Sequence, residues 1–234
     1  MAKKYGTAGT GARRMAKKRV LAILVIAAFF LLLSWVFSKN AGTVAKIGLP
    51  GVVILFIAVM VLGKVADKKT DELEKRAGDA QRGARGEEKV AEFLSNLPDG
   101  FEVFHDIQCD GFNIDHVVAS PAGIFLIETK SHSGRVSAQG DSILLNGKTP
   151  EKDFINQAWS QTYHLRNYLK EKMEIEIKIK PVLCFSSAFV EVRGPVKGVA
   201  VISSKYLERY LNRQKDNISP QTLSGIRVAL KRKI

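Results

Sequence analysis

The stretch Asn113-Ile114-Asp115-His116-Val117-Val118-Ala119-Ser120-Pro121-Ala122-Gly123-Ile124-Phe125-Leu126-Ile127-Glu128-Thr129-Lys130 decides how the C-terminal part of this chain folds. Two largely apolar runs, 112–119 and 124–130, flank Ser120-Pro121-Ala122-Gly123, whose proline and glycine suit a turn; the pattern predicts two strands folded back on each other. Side chains alternate across a strand, so Glu128 and Lys130 share a face and Thr129 points away. Counted outward from the turn, Asp115 falls beside Glu128 and Lys130. Two carboxylates and an amine are therefore expected at one edge of a sheet.

That set suits phosphodiester hydrolysis. Two carboxylates offer hard oxygen ligands to Mg²⁺ or Mn²⁺ and leave water positions open. Such an ion polarises a phosphoryl oxygen, lowers the pKa of a bound water and stabilises the leaving oxygen. Lys130 would orient the attacking water or help deprotonate it, and offset transition-state charge. The plain alternative is a surface Glu-x-Lys pair at a strand end, with no chemistry attached. Glu87 adds to the set. In a helix over 86–97, Val90, Ala91 and Leu94 follow it at three, four and seven residues, so it lies on the apolar stripe, while Glu88 aligns with Glu92 and Ser95 on the wet face. A carboxylate on a buried stripe needs a cation or hydrogen-bond donors; an acid favoured by the helix N-terminus is the competing reading.

Outward from this centre the pattern is mixed α and β. The helix 86–97 ends at Pro98-Asp99-Gly100, and strands are predicted at 101–107, 112–119, 124–130, 134–138 and 142–146. A long helix fits 152–172, strands fit 181–186 and 198–202, and Ser219-Pro220 opens a last helix ending in Lys231, Arg232 and Lys233. About 150 residues suffice for one domain with its own core.

Toward the N-terminus the chain changes character. Residues 20–37 (VLAILVIAAFFLLLSWVF) and 47–63 (IGLPGVVILFIAVMVLG) carry no charge, and each run with its flanks reaches the length that crosses about 30 Å of hydrocarbon. Seven basic side chains and no acid precede the first run, two lie in the connecting loop, and more follow the second, so the positive-inside rule puts both ends in the cytoplasm. The expected organisation is a basic cytoplasmic N-terminus at 1–19, a two-helix transmembrane hairpin at 20–63 in contact with the lipid bilayer, a charged linker at 64–85 and a cytoplasmic domain at 86–234. Of the net charge of +13, the first 63 residues supply +9 and the remainder, with 27 basic and 23 acidic side chains, only +4. The basic excess is mainly topological and suits anionic headgroups. Cys109 and Cys184 are far apart and in no metal-binding spacing, which argues against a disulfide or zinc.

Gly86-Glu87 opening a helix, Ile114-Asp115-His116-Val117-Val118, Gly123 through Lys130, and Gly134 together resemble the nuclease-related domain (NERD) of the PD-(D/E)XK nuclease-like superfamily, and Asn156-Gln157 resembles that family's glutamine motif. The resemblance covers about residues 83–200, with 86–134 its specific part. It implies an α/β fold with the restriction-endonuclease-like α-β-β-β-α-β core, here preceded by two transmembrane helices, and Glu87, Asp115, Glu128, Lys130 and Gln157 lining the site. The implied activity is a membrane-anchored, metal-dependent nuclease acting on nucleic acid, DNA in the first instance, at the cytoplasmic face of a bacterial inner membrane. The alternative is a non-catalytic, membrane-tethered module that binds nucleic acid or protein with the same fold.

The remaining polar candidates have plainer readings. His116, of opposite strand parity to Asp115, is expected to pack on the other face. His132 shares parity with Lys130 and is a candidate for a phosphate contact. Lys205, Arg209 and Arg213 recur every four residues, as a phosphate-tracking stripe or a solvated helix face. Trp159, Tyr163 and Tyr168 read as core or rim aromatics before base-stacking platforms.

Overall fold

The computed structural model describes residues 75–234 throughout, together with 3–5 and the scattered positions 20, 24, 27, 28, 35, 38, 39, 72 and 73. The two runs expected to span a membrane lie almost wholly outside the described residues. Among those described, no helix is long and apolar enough to cross a membrane. The chain divides into two compact units, Met1–Gly11 with Arg82–Ile234, and Ala12–Gln81. Every described strand belongs to the first.

One mixed sheet organises that first unit. Its strands are β1 (Lys3–Tyr5), β2 (Glu102–Cys109), β3 (Phe112–Ser120), β4 (Gly123–Gln139), β5 (Ser142–Leu145), β6 (Ile179–Val190) and β7 (Ala200–Ser203). They lie in the order β1-β2-β3-β4-β6-β7, with β5 paired to the far half of β4. The helices are α1 (75–95), α2 (Phe154–Met173), α3 (Leu207–Asn212) and α4 (Pro220–Lys231). From α1 to β6, disregarding the short β5, the order is the expected α-β-β-β-α-β.

Each face of the sheet is covered, which explains the unbroken apolar run Ile124–Ile127 in its central strand. Phe125 and Ile127 pack with Val118 and Cys184 against Val90 and Leu94 of α1, Leu97 just beyond it, and Leu207 and Leu211 of α3. Ile124 and Leu126 pack with Val117 and Ala119 against Leu165 and Leu169 of α2 and Ile226 and Leu230 of α4. Phe125, Leu126 and Ile127 have no exposed surface, and burial of side chains this size contributes roughly 1.5–3 kcal/mol each. The β3–β4 hairpin turns through Pro121-Ala122, with Ser120 paired to Gly123. Asp153 caps α2, its side chain accepting the Asn156 amide, and Ser219 caps α4 through the Thr222 amide.

Three elements differ from expectation. Helix α1 begins at or before residue 75, so the stretch 64–85 is not all linker: it ends in helix, and Ala84 and Gly86 are buried. Strands expected at 124–130 and 134–138 are one strand of 17 residues, because Ser131–Ser133 continue the pairing through a bulge. Within the basic tail 1–19, Lys3–Tyr5 pair in parallel with Glu102–Phe104. The Tyr5 ring stacks on Phe104 with centroids 4.9 Å apart, covering an aromatic that would otherwise sit bare at the sheet edge.

Candidate active site

Pairing between β3 and β4 runs from Ser120–Gly123 to His116–Ile127 and goes no further. Alternation fails at the same level. Ile114 and Val117 enter one cluster although three residues apart, as do Phe104 and Ile107 on β2, where Asp106 adopts φ 54°. The strands diverge there, and an amide that the ladder no longer uses must find another acceptor. Thr129 N–H donates to Asp115 Oδ2 at 2.7 Å. Asp115 therefore sits in the fork between the two strands, with Glu128 the next residue beyond the last pair.

Beyond the fork, β4 bulges. Against β6, Lys130 pairs with Phe185 but Ser133 with Ser187, so three steps of β4 oppose two of β6. Bulges of this kind bend a strand and re-aim its side chains. The middle of α1 presses into this place: a Cβ on Gly86 would lie 2.9 Å from Ser131 Cβ and 3.0 Å from Ser186 Oγ. Only glycine lets the helix come so close, and the approach carries Glu87 into the electrostatic reach of Asp115.

Three side chains close a triangle over β4. Glu128 Oε1 accepts from Lys130 Nζ and from Gln157 Nε2, each at 2.6 Å, and Lys130 Nζ also donates to Gln157 Oε1 at 2.9 Å. Gln157 comes from the first turn of α2. The Lys130 ammonium also lies 4.8 Å from the centroid of Phe154, the first residue of that helix. Glu128 is nearly enclosed, and its second oxygen, Oε2, is buried without a hydrogen-bond partner.

Electrostatics follow from this crowding of acids. Asp115 is partly buried as a residue, and its carboxyl group is enclosed by protein. Burial first, then the charges of Glu128 and Glu87, hold it well above the usual carboxylate range, against the opposing pull of the Thr129 amide and Lys130. A divalent cation fits that chemistry: an orphaned carboxylate oxygen on Glu128, and an Asp115 whose ionised form needs a positive neighbour. The fit is that of two carboxylates, because among the described residues no three His, Cys, Asp or Glu side chains are grouped so as to hold a metal by themselves.

The five residues expected at the site thus gather around the middle of β4: Glu128, Lys130 and Gln157 through their shared hydrogen bonds, Asp115 through the Thr129 amide beside them, and Glu87 through its charge on Asp115. Phe154, Ser131 and Ser186 were not anticipated. Phe154 directly follows the N-cap of α2, and that is the one signal that could have found it. The other candidates fall outside. His116 is fully buried, its Nδ1 2.8 Å from Nδ1 of His105, and burial followed by that neighbour holds its imidazole well below its ordinary range. His132 is exposed and lies against Phe154 at 5.3 Å. Lys205, Arg209 and Arg213 are exposed over a short helical stretch. Trp159 is tied through Nε1 to the Lys197 carbonyl and stacked on Tyr163, which Arg166 also overlies; Tyr168 donates to the Ala229 carbonyl. These aromatics are rim and packing residues.

No curated protein and no solved structure matches the chain. Residues 82–186 match the family model of the nuclease-related domain (NERD), a span that takes in most of α1, β2 to β5, α2 and most of β6, with all five site residues inside it.

Proposed function

We propose that this chain is a metal-dependent nuclease that hydrolyses phosphodiester bonds, in DNA, at the cytoplasmic face of a bacterial inner membrane to which residues 20–63 anchor it. The observation that carries the reading is the meeting of Asp115, Glu128, Lys130 and Gln157 at the fork of β3 and β4. Asp115 and Glu128 would hold Mg²⁺ or Mn²⁺, with Glu87 adding negative charge nearby. The ion, when bound, supplies Lewis-acid activation of water and of the scissile phosphate. The protein's own residues do the positioning. Gln157 and Glu128 hold the Lys130 ammonium in place, where it would orient a water and balance charge building on the phosphate.

The anchor is supported by the two uncharged runs and by β1. Lys3–Tyr5 and Glu102–Phe104 share one sheet, so the intervening chain leaves and re-enters the same body, as two membrane crossings require. The absence of a three-ligand group among the described residues favours a second reading, a membrane-tethered module that binds nucleic acid without cutting it. A cleavage assay decides between them. The full chain in detergent is incubated with single-stranded, double-stranded and nicked DNA and with RNA, with Mg²⁺, Mn²⁺ or EDTA. Metal-dependent cleavage lost in Asp115→Asn supports the nuclease. Binding without cleavage in either metal leaves the binding module.

A further inference from the structure

The C-terminal end of α2 and one face of α4, from Gln221 to Arg232, enclose an open groove of about 600 Å³ on the unit that carries the sheet. Its apolar lining comes from Met173, Gly225, Val228 and Ala229, with Lys172 and Arg232 as its charged members and no acid among them. The close approach of the helices explains the glycine: a Cβ on Gly225 would lie 2.6 Å from Met173 Cε. Val228 is 54% exposed, and two more large apolar side chains left in solvent, Ile175 at 41% and Ile234 at 42%, follow within two residues of Met173 and Arg232. Lys231 and Lys233 flank Arg232, their ammonium groups over the rings of Tyr5 and Tyr168. Glu171 pairs with Lys172 at 2.6 Å and reduces the positive charge without cancelling it.

Exposed aliphatic side chains interleaved with cations, around an apolar cleft, match the interfacial layer of a bilayer, where aliphatic groups enter the acyl boundary and lysine or arginine meets phosphate. Chain path argues for the same occupant. Tyr5, under Lys231, is the last residue of β1, and the chain beyond it runs through Arg13, Arg14, Lys17, Lys18 and Arg19 into the uncharged stretch 20–37. We propose that the α2–α4 groove is the membrane-facing surface of this unit and receives an anionic phospholipid headgroup between Lys172 and Arg232. The proposal rests on the anchored reading and adds to it: lipid charge, through this groove, sets how the site-bearing unit meets the bilayer.

The test uses the full chain reconstituted in vesicles of phosphatidylcholine alone or of phosphatidylcholine and phosphatidylglycerol in equal parts. Flotation reads the anchor, and hydrogen exchange across 221–232 reads the groove. The expected result is flotation with both vesicles, exchange slowed several-fold by the anionic lipid only, and loss of that slowing in Lys172→Glu/Arg232→Glu, which still floats. Each basic group near an anionic surface carries roughly a fivefold preference, so two reversals exceed the detection limit. Both changes are at the surface, and an unchanged melting temperature in detergent verifies the fold. Exchange indifferent to lipid charge overturns the proposal, as does slowing that follows protein density and marks a second copy as the occupant. Failure to float in either vesicle overturns the anchor instead.

Discussion

Thr129 donates its backbone amide to Asp115 across the fork between β3 and β4, at 2.7 Å. The same carboxyl group is thus structural, closing a broken ladder, and electrostatically uncomfortable, because Glu128 and Glu87 press on it. The sign of the resulting pH dependence follows. A carboxyl group whose pKa is raised on folding binds its proton more tightly in the folded state. Stability is therefore lost as pH rises from the ordinary carboxylate range through the raised value.

Asp115→Asn keeps an oxygen for the Thr129 amide and removes the charge. In metal-free buffer it should melt higher than the parent at neutral pH, and the gap should narrow as pH falls. Melting curves at several pH values in EDTA check this; a variant less stable than the parent at neutral pH contradicts the assignment. Cleavage should be abolished in the same variant, and in Glu128→Gln.

Lys130 separates catalysis from metal affinity. Lys130→Ala should end cleavage while Mn²⁺ binding by calorimetry is retained, since the ammonium neutralises Glu128 and ligates nothing. Glu87→Gln should be milder, a partial loss of rate, because Glu87 acts on Asp115 by charge. Equal loss in both variants would show that the five residues do not divide the work in this way.

Gly86 and Gly83 form a matched pair on one helix. Gly86→Ala drives a methyl group into the Ser131 and Ser186 side chains, and overpacking of this kind costs about 1–3 kcal/mol. It also pushes Glu87 away from the fork. Gly83→Ala meets nothing within 4 Å and should stabilise the helix by roughly 0.5–1 kcal/mol. Chemical denaturation of the two variants reads both signs.

Tyr5 tests the reach of the N-terminal strand. Tyr5→Ala uncovers Phe104 and removes a ring stack, at a cost of about 1 kcal/mol or more. The fragment 64–234, which lacks β1 altogether, should fold but melt below the full chain in the same detergent. A fragment as stable as the parent would mean that β1 contributes nothing.

Much of this architecture could be read from the residues alone. The turn at Pro121-Ala122 and the alternation on either side placed Asp115 beside Glu128 and Lys130, and the helical spacing of Val90 and Leu94 turned Glu87 inward. Asn156-Gln157 needed the family resemblance, since a polar residue in the first turn of a helix has no periodic signal. The misreadings share a cause in local composition. Residues 75–85 are helical but polar, held in part by pairs such as Arg76 with Glu72 one turn apart, so no apolar stripe announced them. Residues 131–133 fell between two predicted strands because the bulge breaks alternation. There Gly134, at φ 90°, lies against the Asn146 side chain, which accepts the Arg135 amide. Lys3–Tyr5 pair with residues about a hundred positions away, and three residues of basic tail hold no trace of that partner.

β1, the outermost strand next to β2, is made about a hundred residues before the strand it pairs with. While the ribosome is still producing the segment up to α1, Lys3–Tyr5 have nothing to pair with, and their place in the sheet does not exist until Glu102–Phe104 have emerged and folded. Closing so long a loop costs only logarithmically more than closing a short one, so the wait is one of timing more than of free energy. The consequence is an assembly order in which β1 docks only after β2 has formed, and a chain whose Lys3–Tyr5 are held elsewhere would present a complete site and an uncovered sheet edge.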